Sequence, residues 1–274
     1  MLATAGGGCT MRGVSAVARA PDLVAVSGNS GIWVSTDAGA TFTRRAGTGI
    51  PTYGTGPYGI RISPADPSRM MIAYNGPPGY WWDQGMWYSH DGGDTWNRPI
   101  VDETDVYYSP FAEDDFNAKG RVWHPTNPDV LFISSDWILK SADGGRTVAM
   151  SNDGNNGTLV VAHWSFNPQN PDLIFFGVQD WISSLSADGG WTWINFPYSG
   201  GYGAYAFSTS RLFVGVGGWW GTRTLNVSTD GGASWTEPGP TTGETDIAVS
   251  GDPGDPNVAF WSNWRTEDRG DSWQ

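Results

Sequence analysis

The sequence is poor in most of the groups that carry familiar chemistries. Its 274 residues include a single cysteine, Cys9, so no internal disulfide framework can form. Cys9 also lies in a glycine-rich stretch with no neighbouring base, which makes it a poor nucleophile. The three histidines, His90, His124 and His163, are scattered without metal-ligand spacing. Only two lysines, Lys119 and Lys140, accompany thirteen arginines, and the formal net charge is −13. Binding a phosphate backbone needs clustered cations, so nucleic acid is excluded as a partner. No apolar run reaches the ~18 residues of a membrane span. The opening Met1-Leu2-Ala3-Thr4-Ala5-Gly6 has neither a basic nor an apolar stretch, and no signal peptide is read there. Charged residues make up only 16%, too few for long solvent-facing helices.

Glycine, by contrast, reaches 39 residues, about twice its usual share of roughly 7%. Tryptophan reaches 17. Short strands joined by tight turns suit this mixture. One phrase recurs: Ser-x-Asp-x-Gly-x-Thr-aromatic. It is centred on Asp37, Asp91, Asp143, Asp188, Asp230 and, in degenerate form, Asp268. The steps between these aspartates are 54, 52, 45, 42 and 38 residues, a period that marks a solenoid, propeller or array. The phrase reads as a hairpin turn. A carboxylate accepts backbone amides, glycine supplies a conformation that side chains resist, and the closing aromatic packs between sheets.

A second element precedes most copies: an apolar strand ended by a proline turn. Examples are Gly59–Pro67, Val122–Pro128, Trp164–Pro171 and, more loosely, Ile247–Pro256. One unit therefore reads strand A, proline turn, strand B, loop, strand C, octamer turn, strand D. Four antiparallel strands per repeat make one propeller blade. The expectation is an all-β fold over residues 1–274 as a single domain: a β-propeller of four-stranded antiparallel blades. Six blades are visible, and six or seven are expected on closure. The chain stops at Trp273-Gln274, where a fourth strand should begin, so a C-terminal truncation is expected, or Leu2–Ala5 completes the last blade as its outer strand.

These repeats resemble the Asp-box (BNR-repeat) propellers, which include sialidases, xyloglucanases and sortilin-type receptors. The opening Gly6–Val14, with Asp22-Leu23-Val24 after it, looks most like the start of xyloglucanase-type propellers, and related propellers occur in phage tail proteins. The resemblance implies that the octamer aspartates Asp37, Asp91, Asp143, Asp188, Asp230 and Asp268 are structural. It places ligand sites on the rim made by the B–C loops and the crossings between blades. There the sequence sets Trp81, Trp82, Trp137, Trp181, Trp219, Trp220 and Trp264 beside Asp, Asn and Gln. Indole stacks on the apolar faces of sugar rings while the polar side chains meet hydroxyls, so a polysaccharide or glycan is the expected ligand. The alternative for any one of these tryptophans is a plug between blades.

The enzyme readings meet obstacles. A sialidase has an Arg-Ile-Pro tripeptide before its first Asp box; here the nearest string, Arg61-Ile62-Ser63, follows it. An inverting xyloglucanase-type hydrolase needs two carboxylates roughly 6.5–9.5 Å apart. The position matching that family's first-blade aspartate is Asn29, and an amide is neither acid nor base at neutral pH. Asp136 and Asp180 are the candidates for a replacement pair. The acidic crossing Asn97–Gly120 is read as a solvated loop, a subunit contact or a cleft wall. The run Asn152–Gly157 reads as an ordinary turn rather than a calcium loop, and no metal or cofactor is expected. The reading is a non-catalytic carbohydrate-recognition or structural propeller of an exterior assembly such as a phage tail, on an extracellular or virion surface beside other subunits. A xyloglucanase-like hydrolase and a protein-docking propeller are the alternatives.

Overall fold

A computed structural model describes residues 10–51, 56–74, 85–101, 120–134, 138–155, 161–178, 182–199, 201–216, 223–236, 241–242, 249–252, 255 and 257–274. Among them the strands form six sheets. The first holds β1 (Met11–Val17), β2 (Ala20–Gly28), β3 (Gly31–Ser35) and β4 (Thr43–Arg44). The second holds β5 (Pro57–Ile62), β6 (Met70–Tyr74) and β7 (Gly85–Ser89). The third combines β8 (Ile100–Val101), β9 (Arg121–Trp123), β10 (Leu131–Ser134), β11 (Ile138–Ser141) and β12 (Thr147–Met150). The fourth holds β13 (Val161–Phe166), β14 (Ile174–Val178), β15 (Ile182–Ser186) and β16 (Ile194–Ser199). The fifth holds β17 (Gly201–Ala206), β18 (Leu212–Val216), β19 (Arg223–Ser228) and β20 (Thr241–Thr242). The sixth holds β21 (Val249–Gly251), β22 (Ala259–Trp261) and β23 (Trp264–Thr266).

Consecutive strands pair antiparallel within each sheet, as a propeller blade requires, but the four-strand expectation holds only in part. In the second sheet the outer strand shrinks to one bridge, Tyr88 with Asn97. Pro99 follows two residues later and has no N–H to extend the ladder. In the sixth, the pairing beyond β23 is a single pair, in which Arg265 and Gln274 exchange both backbone hydrogen bonds at 2.9 and 3.0 Å. The third sheet gains β8, which pairs in parallel with β12. The acidic crossing that begins at Asn97 thus opens as an edge strand; its residues 102–119 lie outside the described set.

The chain divides into two compact units, Met1–Ile133 with Leu139–Met150, and Ser134–Ile138 with Ser151–Gln274. In the first unit, β6 is buried throughout and serves two faces by alternation. Met70, Ile72 and Tyr74 join Ala25, Ile32, Val34, Ile60, Ile62, Trp87 and Trp96, while Met71 turns the other way to Met86, Trp123, Leu131 and Ile133. In the second unit, Phe175 packs with Leu185, Phe196, Val214 and Trp235. Its neighbour Phe176 meets Trp164 and Trp193 on the opposite face. A further cluster joins Phe207, Phe213, Leu225, Val227, Val249, Ala259 and Trp261, with Trp264 and Trp273 against it.

All six octamers fold into the same turn. The hydroxyl of the first residue donates to the aspartate Oδ1 at 2.6–2.9 Å and accepts the fifth residue's N–H at 2.7–2.9 Å. The seventh residue gives its N–H to Oδ1 at 2.8–2.9 Å and its hydroxyl to Oδ2. The fourth and fifth residues both take positive φ. In four copies both are glycine, but the fourth residue is Ala38 in the first copy and Arg269 in the last. The fourth residue's N–H also reaches a carbonyl of the A–B turn in its own sheet, as in Gly92 to Ser68 O and Gly189 to Asp172 O. A–B and C–D turns therefore share one end of each sheet.

A second contact recurs within each unit, in the segments that follow β4 and β12. Thr48 N–H donates to Asp94 O at 3.0 Å, and Trp96 N–H donates back to Thr48 O at 2.7 Å. Asp153 repeats this against Thr192 and Trp193, with Trp193 N–H on Asp153 O at 2.8 Å. The residue after each is a glycine at positive φ, Gly49 or Gly154. A Cβ at either would lie 2.0 or 2.1 Å from the carbonyl oxygen of Trp96 or Trp193, so glycine is required there. The Asn152–Gly157 run is therefore structural where it is described. Asn152 Oδ1 accepts Ile138 N–H, and Asn155 Nδ2 donates to the buried Ser184.

Candidate functional site

The octamer end of each sheet offers little chemistry, because its polar groups already serve one another. The Asp37 carboxyl is lowered to about 2 by hydrogen bonds from Ser35 and then Thr41. Asp230 is lowered to about 2 by Ser234 and Ser228 in the same way. At Asp188 burial pulls upward, but the bonds from Thr192 and Ser186 outweigh it and the group again falls to about 2. Carboxylates held this acidic are ionised acceptors with no proton to give at neutral pH.

The opposite end of the first sheet carries an open cleft of about 210 Å³. Its walls are the β2–β3 turn, Asn29-Ser30-Gly31, and the crossing that leaves β4 through Arg44, Arg45, Gly47, Ile50 and Pro51. Gly56 and Pro57 close it where β5 begins. Asn29 anchors one wall: its Oδ1 accepts Thr10 N–H at 3.0 Å, and its own N–H donates to Thr10 O at 3.3 Å. Ser30 Oγ accepts the Trp33 indole N–H at 3.0 Å. Arg44 is exposed and lies along Gly31, with Nε 3.4 Å from where a Cβ would stand. Arg45 is partly buried; its Nη1 sits 3.5 Å from Asp94 Oδ2, while its Nε is buried without a hydrogen-bond partner. The described lining offers amide, hydroxyl and guanidinium groups and no carboxylate.

Of the residues expected at this end of the sheets, Trp81, Trp82, Trp137, Trp181, Trp219 and Trp220, together with Asp136 and Asp180, lie outside the described residues. Trp264 is described, and it opens β23 rather than sitting in a loop. It pairs with Trp261 across a two-residue turn, where Ser262 takes a positive φ of 55°, and packs against the Phe207–Trp261 cluster. The two-residue turn leaves no loop at that point. Arg44 and Arg45 escaped the sequence reading, which followed aromatic residues. Their signal was two consecutive arginines one residue past the first octamer, in a chain otherwise poor in cations. His90 and His124 are spent locally: His90 Nε2 meets Gly144 O at 2.7 Å, and His124 Nδ1 accepts the N–H of Thr126 and of Asn127.

No protein-family profile and no curated protein matches this sequence. Solved structures do resemble it. A GH74 enzyme from Niastella koreensis superimposes with a TM-score of 0.63 at 18% identity, over 98% of this chain and 45% of that one. The GH74 xyloglucanase from Xanthomonas campestris gives 0.62 at 19% identity, again over 98% and 45%. YCF48 bound to D1 peptide gives 0.57 at 14% identity, over 97% of this chain and 82% of that one. The chain thus spans less than half the length of the two hydrolases. At such identities the likeness speaks for architecture alone, and with the antiparallel sheets described above it makes this chain an all-β propeller.

Proposed function

We propose that this chain is a non-catalytic carbohydrate-recognition propeller that meets a polysaccharide at the B–C ends of its sheets. The observation that carries the reading is Asn29. It occupies the place where the xyloglucanase resemblance expects a catalytic aspartate, and its carboxamide oxygen is already committed to Thr10 N–H. The surrounding cleft supplies hydrogen-bonding groups and no acid–base pair among its described residues. Trp81, Trp82, Trp137, Trp181, Trp219, Trp220 and Trp264 are the stacking residues of this reading, and the six octamer aspartates are its Asp-box scaffold. The proposal extends to one domain over residues 1–274 and to a place on an exterior assembly such as a phage tail.

Two solved likenesses define the competing readings. Likeness to GH74 enzymes keeps an inverting glycoside hydrolase in view, with Asp136 and Asp180 as its acids. Likeness to YCF48 bound to D1 peptide keeps protein docking in view. The test is a glycan-array screen of the purified chain, with reducing sugar followed on every polysaccharide that binds. Binding without release, abolished by Trp137→Ala and Trp181→Ala, is the expected result. Release that disappears in Asp136→Asn or Asp180→Asn establishes the hydrolase instead. No glycan binding at all rejects the carbohydrate reading in favour of docking.

A further inference from the structure

We infer that the Arg44–Arg45 cleft selects sugars that carry an anionic group, a carboxylate or a sulfate. The inference rests on the glycan reading of this end of the sheets and names the class of sugar. Its first ground is charge. The chain as a whole bears −13, yet the described cleft lining holds two guanidiniums and no carboxylate. A local inversion of sign inside an acidic protein favours anionic over neutral sugars.

The second ground is geometry. Arg44 makes no ion pair among the described residues, and it is exposed along a glycine floor. The guanidinium lies against Gly31, where a Cβ would stand in ordinary contact with Arg44 Nε and Nη2 at 3.4 and 3.5 Å. Gly56 lets the far wall come close, since a Cβ on it would stand 3.0 Å from Asn29 Cα. A planar guanidinium presents paired N–H groups that fit a carboxylate or sulfate edge, which an ammonium does not. Arg45 stands behind it with only a long 3.5 Å contact to Asp94, and its buried Nε is left without a partner. Asn29 and Ser30 in the facing turn lie within the same cleft to meet ring hydroxyls. Arg44 supplies the anion contact and Arg45 the supporting field.

The test is titration calorimetry of the full chain with three defined oligosaccharides of equal length: a galacturonate, a sulfated glucan and a neutral glucan. The expected result is preference for one or both acidic ligands, weakening as salt rises from 50 to 500 mM. Arg44→Gln is expected to lose about tenfold to hundredfold in affinity for the acidic ligand and none for a neutral one, with Arg44→Lys in between. Near-ultraviolet circular dichroism of each variant confirms the fold, and Arg19→Gln, a surface arginine outside the cleft, serves as the control for general charge. Which acidic ligand binds tells carboxylate from sulfate. Equal binding of neutral and acidic sugars, or an Arg44→Gln variant that keeps its acidic affinity, overturns this inference while leaving the glycan reading intact. Absence of binding by all three, together with an array negative for every glycan, overturns both. Arg44-dependent binding of a carboxylate-ended peptide in place of any sugar also overturns the inference.

Discussion

Replacing Ser89 by alanine isolates what one octamer hydroxyl contributes. Ser89 is fully buried, and its Oγ does three things at once. It donates to Asp91 Oδ1 at 2.8 Å, accepts Asp91 N–H at 3.3 Å and accepts Gly93 N–H at 2.9 Å. Asp91 keeps its bonds from Asp94 and Thr95 when the hydroxyl is removed, so the aspartate is only partly deprived. Gly93 N–H is buried and loses its acceptor, which costs about 1–3 kcal/mol. Methylene packing is unchanged, and the remaining losses are one charge-assisted bond and the long 3.3 Å bond from Asp91 N–H. The expected destabilisation is therefore about 2–3 kcal/mol, read as a lower urea midpoint at unchanged slope. The sixth octamer supplies the control. Thr266 holds the same three bonds from Oγ1 while 1% exposed, so Ser89→Thr should retain most of the stability. A Ser89→Ala protein within about 0.5 kcal/mol of the parent would refute the reasoning, as would Ser89→Thr being the worse of the two.

Gly154→Ala should cost about 2 kcal/mol or more, because the residue sits at φ 81° with its would-be Cβ 2.1 Å from Trp193 O; thermal unfolding checks it, and an unchanged midpoint contradicts the contact. Acid should loosen the octamers in a defined window. Asp37, Asp188 and Asp230 fall to about 2 in the folded chain against roughly 3.9 unfolded, and Asp91, Asp143 and Asp268 are lowered as well, so the stability they lend is complete above about pH 4–5 and is lost as pH falls from there through about 2. Urea midpoints measured from pH 7 to 2 should be flat and then fall, and a decline complete by pH 4 would contradict the assignment. Arg121→Met should be neutral or stabilising. This arginine is 6% exposed, its Nε and Nη2 have no hydrogen-bond partner, and burial lowers its pKa to about 10. A loss above about 2 kcal/mol in the Met variant, by urea unfolding, would show that the guanidinium is held by a counter-charge.

The repeats were legible because each octamer encodes its turn locally. The first-residue hydroxyl, the carboxylate and the fifth-residue glycine lie within five residues and bond one another locally; only the fourth residue's N–H reaches a more distant partner, in the A–B turn. Arg269 shows the limit, since its positive φ of 61° is imposed by the turn on a residue that does not favour it. The general four-strand unit did not show that the second sheet's outer strand stops at the Tyr88–Asn97 bridge, where Pro99, two residues on, has no N–H to extend the ladder. The latch at Asp153-Gly154 was read as a plain turn, since its partner Trp193 lies some forty residues away and nothing local announces it. Arg44 and Arg45 were passed over for the same reason. A cleft is made by two segments meeting, and each segment alone looks like surface.

The Gly49–Trp96 and Gly154–Trp193 contacts bear on how such a chain can be cut and recombined. In each, a glycine rests on the backbone of a tryptophan later in the chain and within the same compact unit. A cassette excised at sheet boundaries would carry half of each lock away with it. Exchange of single blades between relatives is therefore constrained to donors whose incoming tryptophan finds a glycine already waiting in the recipient. The third octamer, which ends in Val148 and meets Val101 as a regular strand pair, marks a junction with a different key. A graft across that junction would have to match strand to strand rather than glycine to tryptophan.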